Sequence, residues 1–100
     1  MQDPADCQTM TELRVVIDGL DRELVQLLAR RQACIDRAIA LKPAEGLPAR
    51  IPDRVEDVVS KVRAEATRNG VDPDLLEALW RQLIDWSIAR EARVLGGDAG

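Results

Sequence analysis

A chain of 100 residues, 46% apolar and 32% charged, is long enough for one domain. With no Phe or Tyr and only Trp80 and Trp86 for aromatics, its core has to come from Leu, Val, Ile and Ala, which suits packed helices better than sheets and predicts an all-α fold. A net charge of -4 with dispersed basic residues argues against a nucleic-acid partner, and no apolar run approaches the roughly 18 residues of a membrane span.

In chain order, Met1-Gln2-Asp3-Pro4-Ala5-Asp6 offers no basic segment followed by an apolar signal core, so a soluble, cytoplasmic protein with Cys7 and Cys34 reduced is expected. Two cysteines and no histidine give no metal-ligand spacing, and neither a metal nor a cofactor is expected. A first helix, about 10–41, begins at Thr9 or Thr11, both good N-cap residues, and stops before Pro43. It spans roughly 46 Å at 1.5 Å per residue. A proline-rich loop over 43–51 follows. The second helix, about 52–69, carries Val55, Val58, Val59, Val62 and Ala66 on one face and is closed by Asn69-Gly70. The third, about 73–95, has Asp72 as N-cap and Pro73 at its first position, with Leu76, Leu79, Leu83, Trp86 and Arg90 as its apolar side. Fraying at Gly96-Gly97 and a disordered tail over 98–100 are expected.

The first helix holds the most regular stripe: Leu13, Ile17, Leu20, Leu24 and Leu27, then Arg31, then Cys34 and Ala38, in steps of four and three. An always-charged guanidinium on such a seam needs an anion, and Leu27, Leu28, Cys34 and Ile35 occupy the positions one turn away. An Arg at a seam edge can also lay its stem over apolar neighbours and send its head to water. Lys42 shifts the balance towards a ligand. It lies eleven residues on, about 20° off the Arg31 direction and about 16 Å along the axis, so the two cations share a side. Arg14 is about 100° off that face and serves a different site, most simply one in a second subunit.

Two shorter helices cannot cover a stripe of this length, so a second copy is expected to pack on it, making an intertwined, all-helical homodimer. A purely structural coiled-coil dimeriser is the bland version of this. Against it, two copies of Arg31 meeting across a symmetric seam repel, where a self-pairing Asn does not. There is no His for acid–base work, no Ser-His-Asp set and no Gly-rich phosphate loop. A pocket of fixed cations remains, and it suits a reaction that needs only a dianionic substrate folded and its developing negative charge stabilised. A concerted pericyclic rearrangement requires no more.

Glu12-Leu13-Arg14, Ile17-Asp18, Asp21, Leu27-Leu28-Ala29-Arg30-Arg31, Lys42, Pro52-Asp53-Arg54, and Gln82-Leu83-Ile84 through Ser87 to Glu91 together resemble the all-helical (AroQ-class, type II) chorismate mutases, over roughly residues 7–93. Pro4-x-Asp6-Cys7 and Trp86-Ser87-Ile88-Ala89 most resemble the isochorismate pyruvate lyase branch, which shares the fold and performs a related elimination. The resemblance implies that Arg31, with Arg14 entering from the other subunit, grips two substrate carboxylates. It implies that Lys42 reaches a carboxylate and the ether oxygen, and that Arg54 and Ser87 complete the polar wall. Glu91 falls where many relatives have Gln donating to the ether oxygen. A carboxylate cannot donate, so Glu91→Gln is expected to raise activity at neutral pH.

Two departures from the family pattern point in opposite directions. Typical bacterial mutases have Glu directly after the second-helix Arg, where this chain has Val55, as in the lyase branch. Glu91 departs from the Gln of that branch and matches a subset of mutases. The expected function is conversion of chorismate to prephenate, in aromatic amino acid biosynthesis. The alternatives are isochorismate cleavage to salicylate and pyruvate, and a non-catalytic helical dimer that binds a dicarboxylate. The expected partners are the small-molecule substrate and a second copy of the chain, with neither nucleic acid nor membrane.

Overall fold

The computed structural model describes residues 2–95; the fraying at Gly96-Gly97 and the tail over 98–100 lie outside the described residues. Among the described residues there are three α-helices, α1 (Met10–Ala44), α2 (Pro52–Arg68) and α3 (Pro73–Leu95), a short 3-10 helix at Pro4–Asp6, and no strand. None of these helices is long and apolar enough to cross a membrane.

Each start and stop has a local cause. Thr9 caps α1: its Oγ1 accepts from the Glu12 amide at 3.1 Å, while Glu12 Oε2 accepts from the Gln8 amide at 2.8 Å, so two donors at the helix start are satisfied. Asp72 caps α3, its Oδ1 accepting from the Asp74 amide at 2.9 Å, and Pro73 costs nothing where an amide would go unbonded. The far ends of α1 and α2 close alike. Leu47 N–H donates to Lys42 O at 2.9 Å and Gly46 N–H to Pro43 O at 3.1 Å; Val71 N–H donates to Ala66 O at 2.8 Å and Gly70 N–H to Thr67 O at 3.2 Å. Both closures need a left-handed residue, and Gly46 and Gly70 supply it with φ of 69° and 72°.

The end of α1 differs from the expectation. Pro43 does not stop the helix but lies inside its last turn, and α1 runs to Ala44. A proline this close to the end deprives only the Ile39 carbonyl of its partner, and the turn around Gly46 rebonds the carbonyls that follow.

The chain divides into two compact units, Met1–Cys34 and Ile35–Gly100. In the first, Val16 is buried, whereas Ile17, Leu20, Leu24 and Leu27 on the stripe of α1 are all exposed, at 42–57%. In the second, α2 packs on α3 around a core of Ala49, Val59, Ile84 and Ile88, flanked by Val55, Val58, Trp80, Ala92 and Leu95. Burying Val59, Ile84 or Ile88 contributes roughly 1.5–3 kcal/mol each. Ion pairs line the rim of that core. Arg81 forks onto Glu56 at 2.9 and 3.1 Å and reaches Glu77 at 2.7 Å, and Arg63 bridges Asp74 and Glu77 at 3.0 Å each.

Candidate active site

The most buried stripe of the third helix is offset from the expected one, of which Leu76, Leu83 and Arg90 are half-buried. Ile84, Ser87, Ile88 and Glu91 are its buried residues, whereas Leu79 and Trp86 of the expected face are nearly half exposed. Helix α3 has apolar residues on two sides, and periodicity cannot say which side α2 will take. The stripe that meets α2 carries two polar groups one turn apart, Ser87 and Glu91.

Glu91 is 3% exposed, and such a carboxylate is costly to desolvate without a cation. Lys42 provides it from the last turn of α1: its Nζ lies 2.7 Å from Glu91 Oε1, with the lysine side chain itself only 17% exposed. The contact is a close ion pair between two largely buried groups. The same ammonium donates to the Ala49 carbonyl at 2.7 Å. An ammonium has three donor hydrogens, so one is left beyond the Ala49 bond and the Glu91 contact. Ser87 Oγ donates to the Leu83 carbonyl at 2.8 Å, a bond within its own helix.

The remaining expected site residues are placed as follows. Arg54 is exposed on α2 and donates to Asp57 at 2.6 Å, a carboxylate also held by Lys61 at 3.0 Å. Lys61 first and Arg54 second hold the Asp57 carboxyl below the usual carboxylate range. Arg14 is exposed and Arg31 half-buried, both on the part of α1 that belongs to the first unit. Of the six expected residues, Lys42 and Glu91 are in direct contact, and Ser87 shares the buried face of Glu91.

Two interactions in this unit were not foreseen. The Ala49 carbonyl is backbone and carries no side-chain signal, and only its place in a short loop after Lys42 hints at it. Arg90, expected on the apolar side of α3, forks onto Asp36 at 2.6 and 3.2 Å and stacks over Trp86 with 5.6 Å to the ring centroid. The hydrogen bond from Arg90 holds the Asp36 carboxyl below its usual value. A separate cleft between α2 and α3 is lined by Arg50, Pro52, Val55, Glu56, Arg81, Ile84 and Asp85, and its two cations face carboxylates, Arg50 to Asp85 at 3.4 Å and Arg81 to Glu56 at 2.9 Å. Among the described residues, no three His, Cys, Asp or Glu side chains gather as a group that could hold a metal ion.

The pair offers fixed charge, and the sequence has no histidine whose imidazole could shuttle protons near neutral pH. The model of the family described as chorismate mutase type II matches residues 13–92, a span that includes all six expected site residues. An isochorismate pyruvate lyase of Pseudomonas aeruginosa is 34% identical over 94 residues, which is 93% of this chain and 91% of that one. A T-protein of Haemophilus influenzae is 36% identical over 84 residues, and there the chain spans only 22% of the relative's length. A chorismate mutase of Methanocaldococcus jannaschii is 23% identical over 88 residues, 88% of this chain and 89% of that one.

Proposed function

This chain belongs to the chorismate mutase type II family, and we propose that within it the protein is a cytoplasmic homodimer that rearranges chorismate to prephenate, with each active site shared between the two copies. The observation that carries this reading is Glu91. It is buried and paired with Lys42, and the resemblance puts it where the lyase branch has Gln and a subset of mutases has Glu.

In this reading, Arg31 and Arg14 of the partner subunit clamp the two carboxylates of the substrate by bidentate hydrogen bonds, which folds the flexible side chain over the ring. The carbon–oxygen bond of the ether breaks as the new carbon–carbon bond forms, so no atom leaves and no proton is transferred. Negative charge grows on the ether oxygen, and the remaining N–H of Lys42 is the donor that meets it. A preorganised donor in a desolvated site contributes far more there than it does in water. Arg54 and Ser87 complete the polar wall. The exposed row Ile17, Leu20, Leu24 and Leu27 supports the second copy, because an unpartnered apolar stripe along a helix of this length calls for a partner surface.

Isochorismate cleavage to salicylate and pyruvate is the second reading, favoured by Val55 after Arg54 and by the near full-length likeness to the Pseudomonas lyase. Purified protein assayed side by side with chorismate and with isochorismate decides between them. Prephenate formation at the higher kcat/KM is expected. Release of salicylate and pyruvate at a higher kcat/KM than prephenate formation makes the protein a lyase, and turnover of neither substrate leaves a dicarboxylate-binding dimer.

A further inference from the structure

Lys42 is gripped at both ends by the segment that follows it. Its carbonyl accepts from the amides of Leu47 and Glu45 at 2.9 and 3.1 Å, while its ammonium donates to the Ala49 carbonyl at 2.7 Å. Ala49 is 2% exposed, and its methyl belongs to the core cluster of Val59, Ile84 and Ile88. The oxygen that receives the ammonium is therefore fixed by packing between α2 and α3, although it sits in a loop. Glu91 alone gives the four-carbon side chain one charge contact and no second point to fix its direction. The carbonyl supplies a second fixed point and a direction.

We propose that the Ala49 carbonyl is a positioning group for the reaction: anchored through its own buried methyl, it holds the Lys42 ammonium in place so that the remaining N–H is set for the substrate before the substrate arrives. The proposal rests on the reading of Lys42 as the donor beside the breaking carbon–oxygen bond. Ordering a lysine during folding spares that ordering in the transition state, so loosening the anchor lowers kcat more than it raises KM.

The chain has two lysines, Lys42 and Lys61, which makes the ammonium directly observable. In protein labelled with nitrogen-15 lysine, Lys61 on the surface of α2 serves as internal control, its side chain 69% exposed. Ala49→Gly removes the methyl and leaves the carbonyl. Hydrogen exchange at the Lys42 ammonium should accelerate at least ~10-fold with Lys61 unchanged, while kcat falls about 10-fold and KM stays within about threefold, as expected when a transition-state donor is misplaced. In a Lys42→Met background the same substitution should change residual turnover by less than about twofold, since it acts through Lys42. Should Ala49→Gly fail to fold, Gly46→Ala loosens the same segment from the other side. At φ 69° with nothing within 4 Å of a new Cβ, its cost is backbone strain alone, and the same changes are expected. Unchanged exchange at Lys42 in a folded variant, or faster exchange with kcat intact, overturns the proposal. Wild-type protein that turns over neither substrate refutes the functional reading instead, and the exchange rate still decides whether Ala49 anchors Lys42.

Discussion

Lys42→Met tests whether the buried pair is a structural necessity. Methionine keeps the length and much of the apolar stem, so lost packing is minimised and the change falls on the ammonium. What remains is a Glu91 carboxylate, 3% exposed, without the cation that stood 2.7 Å away. Leaving one partner of a buried pair uncompensated costs about 3–5 kcal/mol. Glu91→Gln is milder. Lys42 keeps the Ala49 carbonyl and some solvent, and the amide oxygen can still accept from it, so the loss is about 1–2 kcal/mol, the difference between a charge-assisted and a neutral contact. The double variant carries no buried charge at this position, so it should be more stable than the two single losses predict by at least ~1 kcal/mol. Urea unfolding at pH 7 and one fixed chain concentration measures all four proteins, with the slope m checked for constancy; the concentration is fixed because the stability of any associating chain depends on it. A Lys42→Met protein within ~0.5 kcal/mol of wild type, or strictly additive losses, would show that the ionised pair does not exist in solution.

Arg31→Lys should lower kcat/KM by at least ~10-fold, because a point charge cannot replace a planar fork on a carboxylate; wild-type kinetics would remove Arg31 from the site. Mixing an Arg14→Ala chain with an Arg31→Ala chain should restore activity once subunits exchange, since some mixed dimers regain one intact site, and light scattering should give twice the chain mass. No recovery despite proven exchange places both arginines in one subunit's site. Glu91→Gln should raise turnover at neutral pH, because the amide can donate where the carboxylate cannot; a variant that folds and is inactive assigns Glu91 to holding Lys42 instead. Asp36, Glu56, Asp57 and Glu77 are all held below their usual range, chiefly by hydrogen bonds from Arg90, Arg81, Lys61 and Arg81 respectively. Their contribution is complete above the unfolded values near 4 and is lost as pH falls through the lower folded ones. Tm should accordingly hold from pH 7 to about 5.5 and decline below about 4.5, and Asp36→Asn should make that decline shallower.

The sequence disclosed what repeats and hid what depends on a single contact. The valine face of α2 was legible because Val55, Val58, Val59, Val62 and Ala66 recur on one side and all of them are at least half-buried. The end of α1 was misjudged at Pro43 because a proline in the last turn removes only one bond, and the residue that ends the helix is Gly46, whose signal is conformational and not apolar. The expected face of α3 was only partly right, since Leu76 and Leu83 are half-buried while Leu79 and Trp86 are exposed. Helix α3 carries apolar residues on two sides, and a periodic pattern records both without rank. Leu79 and Trp86 are nearly half exposed beside the buried Ile84 and Ile88. Glu91 was singled out by likeness to a family and not by position. On the helix it follows Ser87 by one turn, an arrangement common on solvated surfaces, and only burial against Lys42 gives it chemistry. Lys42 in turn donates to the carbonyl of Ala49, a residue with no polar side chain, so a sequence search for site residues passes over that contact.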